Sequence, residues 1–130
     1  MARKFEEIEV WQLARVLVRD IYSLTQQEKI KRNYSLTDQI QRAALSVMNN
    51  IAEGFERFSS KEFVYLLNVS KGSAGEVRSM LYILLDLKLI EDAHFQVLQE
   101  RTLSISKSLA GFIVYLKNSN SDSDSGKKKN

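Results

Sequence analysis

The sequence predicts an all-α domain, an antiparallel up-down-up-down four-helix bundle that assembles into a homo-oligomer. Three observations carry this. Apolar residues recur at three- and four-residue steps through four long segments. No segment alternates with period two for long enough to form a strand. Proline is absent from all 130 residues, so no ring interrupts a helix.

The first helix is expected from about Glu7 to Thr25, with Val10, Leu13, Ala14, Leu17, Ile21 and Leu24 on its inner stripe. Gln26 to Tyr34 reads as a polar connection. Ser35 opens a Ser-x-x-Asp pattern resembling a capping box, so it is the expected N-cap of the second helix. That helix continues through Leu36, Ile40, Ala44, Val47, Ile51 and Phe55. Arg57 to Lys61 turns the chain, with Ser59 or Ser60 as the cap of the third helix. Phe63, Leu66, Leu67, Ser70, Ala74, Val77, Leu81 and Leu84 form the stripe of that helix. After a break at Ile90 to Asp92, with Asp92 as the expected cap, a fourth stripe runs through Phe95, Leu98, Thr102, Ile105, Leu109, Phe112 and Leu116. Helices of ~20 to 27 residues are roughly 30 to 40 Å long, and short links between similar lengths favour antiparallel neighbours.

The folded domain is therefore expected over residues 5–117. Residues 118–130 (NSNSDSDSGKKKN) contain no apolar side chain to offset their ordering entropy and read as a disordered tail. Formal charge is +3, of which the tail's three lysines and two aspartates supply +1, leaving +2 on the body. Cysteine is absent, which removes disulfides, thiolate metal sites and thiol catalysis. Met1 to Val10 is charged and lacks a signal-peptide core, and no run reaches the ~18 to 20 apolar residues of a membrane span. The expectation is a cytoplasmic protein with no membrane contact.

Stepping residues at 100° shows a second apolar row on two helices. On the first it is Trp11, Arg15, Val18 and Tyr22; on the third it is Tyr65, Val69, Gly72, Met80, Ile83 and Leu87. In an isolated bundle these rows would face water. Either a wide core or the tail covers them, or they form contacts between copies, with Trp11, Val18, Tyr22, Tyr65, Val69, Gly72, Met80 and Ile83 as the expected interface. Gly72 and Gly75 lie mid-helix, where each costs about 1 kcal/mol against alanine, so close packing is expected at both. A phosphate-cradling loop is the alternative, but its Gly-x-x-x-x-Gly-Lys-Ser/Thr order is missing.

The second helix carries a polar row of Gln39, Arg42, Ser46, Asn50 and Glu53 beside its apolar stripe, with Asn49 at the margin. Ser73, Glu76 or Arg78 on the third helix are the natural partners. Three readings stay open: a partly exposed flank, a structural hydrogen-bonding network, or a ligand site. Catalytic patterns are poor. His94 is the single histidine, so Glu91-x-x-His94 has no second copy from which to build a di-iron centre. Glu53 and Glu56 lack further ligands, and no nucleophile motif appears. No enzyme, metal or cofactor is expected. Arg15 and Arg19 share one side of the first helix, while Lys29, Lys31 and Arg32 cluster in the connection. These are the candidate nucleic-acid contacts, against the alternative of a solvated mixed-charge surface. Repetition in an assembly would multiply each weak patch.

Phe5 with Val10-Trp11-Gln12-Leu13-Ala14 opens a pattern that continues through Leu36-Thr37-Asp38-Gln39-Ile40-Gln41-Arg42-Ala43-Ala44-Leu45-Ser46-Val47. Asn50-Ile51-Ala52-Glu53-Gly54 is its most specific part; Glu62-Phe63 and Gly72-Ser73 with Glu76 complete it. Over Phe5 to Leu116 the chain resembles the four-helix-bundle proteins encoded in intervening sequences of bacterial 23S rRNA genes. Ala74-Gly75 departs from the pattern, which has a larger apolar residue after Gly-Ser. The resemblance implies a homopentameric, barrel-like assembly without catalytic activity. The related accessory variability proteins of diversity-generating retroelements bind nucleic acid and assist a reverse transcriptase, and they are more basic than this body. RNA or DNA, and a reverse transcriptase, are thus the partners the resemblance implies besides further copies of the chain. A protein-interaction scaffold without nucleic acid is the alternative.

Overall fold

The computed structural model describes residues 2–129, with side chains described for residues 2–119. A 3-10 turn at Phe5–Glu7 leads into α1 (Glu9–Thr25), a single-turn α2 (Glu28–Lys31), α3 (Tyr34–Glu56), α4 (Ser60–Asp86) and α5 (Asp92–Lys129). The four long helices pack in the cyclic order α1, α3, α4, α5, so that α3 and α5 each touch both α1 and α4. No strand occurs among the described residues. The tail expected over residues 118–130 falls, from Asn120 onward, outside the described side chains.

The expected stripes form one core. Leu17, Ile21, Ile40, Ile51, Leu67, Leu81, Leu84, Leu98, Ile105 and Leu109 are fully buried within it. Three hydroxyls share that interior, and each finds an acceptor, as buried polar groups must. Ser70 donates across the helix pair to the Val47 carbonyl at 2.6 Å. Thr102 and Thr25 donate back to the carbonyls of Leu98 and Ile21 in their own helices. Leu13, expected inside, instead lies exposed at the seam between α1 and α5.

The ends of the helices test the cap assignments. Ser59 caps α4 as expected, its Oγ accepting from the Glu62 N–H at 3.3 Å. Ser35 does not cap α3, which starts at Tyr34 with Asn33 at the cap position and no side-chain cap bond. The reason is that Asp38 turns to Arg42 at 3.0 Å while Thr37 donates to the Ile30 carbonyl, so the capping box loses its partner and its register. Asp92 is likewise the first residue of α5, and the Glu91 carbonyl takes the first helical bond, from the Phe95 N–H.

The connection read as polar contains α2, which holds Ile30 completely buried beneath the α1–α3 end of the core. Helix α4 ends in a Schellman motif: the Leu89 N–H reaches the Leu84 carbonyl at 2.8 Å and the Lys88 N–H reaches Leu85 at 3.0 Å. Lys88 stands at the left-handed position, φ 59°, where a Cβ is crowded. Lys88→Gly is expected to stabilise the protein by about 1 kcal/mol, raising Tm by about 4 °C in a thermal melt. An unchanged or lower Tm would show that the lysine side chain contributes more than its backbone strain costs.

Candidate functional site

Three surfaces gather the residues that the sequence marks. The first is a polar seam between α3 and α4. Ser46 and Ser73 join through their hydroxyls at 2.7 Å, and Asn50 Nδ2 donates to the Ser46 carbonyl at 2.8 Å and to its Oγ at 2.9 Å. One turn further along α4, and two turns back along α3, Gln39 donates to Glu76 at 2.8 Å. The seam thus locks the register of two helices by complementary donors and acceptors. Arg42 and Glu53, expected in the same network, take other partners. Arg42 pairs with Asp38 on the exposed side of α3, and Glu53 pairs with Arg57 at 2.6 Å. Their side chains leave the helix about 20 to 60° further from α4, beyond reach of it. Arg78 makes no side-chain bond in the seam, and Gln99 of α5 donates to its backbone carbonyl at 2.9 Å.

Arg57 closes the α3–α4 turn by also reaching Glu62 at 3.6 Å. Its hydrogen bond to Glu53, and then the charges of Glu53 and Glu62, raise its pKa above the ordinary arginine value. Beside it Phe58 is wholly exposed at the turn, a feature that no periodic pattern marks because it lies outside every helix.

The second surface is the basic ridge on α1. The Arg15 guanidinium sits over the Trp11 ring at 5.8 Å from its centroid, and Trp11 in turn meets Phe5 edge-on at 5.1 Å. Trp11, Gln12, Arg15, Val16 and Arg19 line a shallow hollow of about 480 Å³ whose one acid is Glu6. Arg15 and Arg19 make no ion pair among the described residues. The connection cluster is less free. Lys31 pairs with Glu28 at 3.3 Å, and Lys29 borders a hollow shared with Glu91 and Asp92, while Arg32 is exposed.

The third surface is apolar, and here two expectations are corrected. Trp11, Val18 and Tyr22 are half-buried rather than facing water, because the 3-10 turn folds Phe5 onto Trp11, and Trp11 and Val18 pack against the core. Met80 is only 8 % exposed, since it joins the core. Tyr65, Val69, Ile83 and Leu87 on α4 are exposed as expected, with Tyr65 at 66 %. Gly72 lies among them, and at neither it nor Gly75 does an atom beyond the adjoining residues and the helix's own backbone come within 4 Å of where a Cβ would stand. The close packing expected at both is therefore absent among the described residues.

A further apolar face went unmarked. Leu13, Val16, Val97 and Ile105 line a 370 Å³ groove along the sparse α1–α5 seam, bridged by an ion pair between Asp20 and Arg101. Leu103, Val114 and Tyr115 are further exposed apolar side chains of α5. Counting residues one step either side of each core stripe could have found it.

Residues 6–111 match the model of the 23S rRNA-intervening sequence protein. The chain belongs to this family. A crystal structure of a protein of unknown function from the S23 ribosomal protein family of Bacteroides thetaiotaomicron superposes with a TM-score of 0.74 at 22 % identity, covering 80 % of this chain and 97 % of that one. That likeness shows the shared fold. No curated protein matches the chain. Among the described residues of this family member, no helix is long and apolar enough to cross a membrane. No group of three or more His, Asp or Glu side chains there is placed to hold a metal ion.

Proposed function

We propose that this intervening-sequence protein works without catalysis in the cytoplasm, as one subunit of a homo-oligomer that binds nucleic acid. Five copies are what the family resemblance implies. The observation that carries the reading is the α1 ridge, where Arg15 and Arg19, in no ion pair among the described residues, present guanidinium groups beside an aromatic ring. Arginine grips phosphate through paired donors, and an exposed guanidinium plane also stacks on a base. Two such groups per chain bind weakly. Repeated around an assembly, they engage one strand together and gain avidity without a high charge per subunit. A reverse transcriptase is the protein partner this reading carries over from the retroelement accessory proteins.

Retention of a mixed-sequence single-stranded RNA, and of the matching duplex, on immobilised protein across a salt series tests it. Binding is expected to weaken steeply with salt, and the double variant Arg15→Ala/Arg19→Ala is expected to lose at least tenfold and to flatten the slope. No retention at low salt overturns the proposal. A protein scaffold is the second reading, favoured by Phe58, which stands fully exposed on the α3–α4 turn as an anchor for a partner's pocket.

A further inference from the structure

We infer that the hollow on α1 is a site for one unpaired guanine base of a single strand. This rests on the nucleic-acid binding proposed above and names what the same ridge reads. Phosphate alone does not account for the groups gathered there. Glu6, Trp11, Gln12 and Val16 line the hollow of about 480 Å³ together with Arg15 and Arg19. Its size falls within the about 300 to 1,000 Å³ that small-molecule sites span. A surface built only to hold a phosphate backbone has no use for an indole, and a carboxylate there repels the phosphates.

The flat wall selects an unpaired base. Trp11 is half-buried and packs against the core, and Phe5 meets it edge-on at 5.1 Å, so its ring plane is fixed before any ligand arrives. The Arg15 guanidinium lies over the same ring, 5.8 Å from its centroid. Aromatic rings and guanidinium planes are the surfaces on which proteins stack splayed-out bases. Inside a duplex both faces of a base are already covered by its neighbours, so this wall favours a single strand.

The carboxylate chooses which base. Glu6 is exposed and makes no ion pair among the described residues. Its backbone carbonyl accepts from Gln12 Nε2 at 2.8 Å, which ties the 3-10 turn to α1 and keeps residue 6 at the hollow. An ionised carboxylate only accepts hydrogen bonds, and two parallel donors suit it best. On the Watson–Crick edge of guanine, the ring N–H and the amino group stand side by side as such a pair. Adenine and cytosine set one donor beside an acceptor nitrogen, and uracil flanks its one donor with two carbonyl oxygens. A carboxylate meets repulsion at each of these three. Arg19, one helical turn beyond Arg15, is left to hold the phosphate.

Trp11 is the single tryptophan of the chain, so its emission reports on this hollow alone. Plain short uridine strands, the same strands carrying one central guanosine, adenosine or cytidine, and a blunt RNA duplex are titrated at low salt. The guanosine strand is expected to quench Trp11 and to bind at least about fivefold more tightly than the other strands, the discrimination one bidentate pair supplies. The duplex is expected to bind through its phosphates without quenching. Glu6→Gln is expected to abolish the guanosine preference while the plain uridine strand binds as well as before or better, because a negative charge has left the hollow. A preference that survives Glu6→Gln, or strands that all bind alike with Trp11 emission unchanged, overturns the base site and leaves the nucleic-acid reading standing. Weaker binding of the plain uridine strand to Glu6→Gln also overturns it, since Glu6 would then serve the fold. Retention of no strand at low salt overturns both.

Discussion

Ile30→Ala is expected to destabilise the protein by about 3 kcal/mol, the cost of deleting a large side chain from a filled interior. The residue lies in a segment, QQEKIKRNY, that is polar on every side of it. Its side chain is nevertheless 0 % exposed, and its carbonyl accepts from Thr37 at 3.2 Å, which ties the α1–α3 link to the first turn of α3. Single turns such as α2 are too short to persist alone, so burial of Ile30 is what holds the link in place. Lys29→Ala and Lys31→Ala, one residue either side, are expected to change stability by less than about 0.5 kcal/mol because both side chains are exposed. Urea denaturation of the three variants checks the contrast. Equal losses at all three would mean that the link is held by its backbone rather than by one plug.

Gly54→Ala is expected to cost about 2 kcal/mol, although alanine favours a helix. A Cβ at Gly54 would stand 2.7 Å from Cδ1 of Phe63 and 3.3 Å from Cβ of Leu66. The Phe63 ring has little room to retreat, being held edge-on by Phe55 at 6.2 Å and by Phe112 at 5.3 Å. The close approach of α3 to α4 at the hairpin end therefore depends on the missing side chain. Chemical denaturation decides the sign: a gain of about 1 kcal/mol, the bare helix preference, would show that the rings give way. The same substitution at Gly75, with nothing within 4 Å, should stabilise by up to about that amount.

These two residues mark where reading the chain succeeds and fails. The helices themselves are legible because a core stripe imposes a 3.6-residue period, and the Ser59 cap is legible because its bond to Glu62 spans three residues. Ile30 breaks the pattern, since one buried residue in a polar stretch has no period. Gly54 and Gly72 are alike in sequence, each a glycine inside a helical pattern, and only the path of the neighbouring helix separates the crowded one from the open one. The polar row on α3 was visible as a row. That Ser46, Asn50 and Gln39 turn to α4 while Arg42 and Glu53 turn away depends on where α4 lies around α3.

The amino-acid sequence by itself determined four amphipathic helices, their order, their inner stripes and the family to which they belong. Each of these follows from contacts between residues three or four apart, or from short motifs. Only the tertiary structure decided which outer rows stay wet. Trp11, Val18 and Met80 are drawn against the interior, whereas Tyr65, Ile83 and the α1–α5 groove remain open. Exposure of an outer row is set by the angle and distance at which a second helix passes, and a single helix's periodicity carries neither.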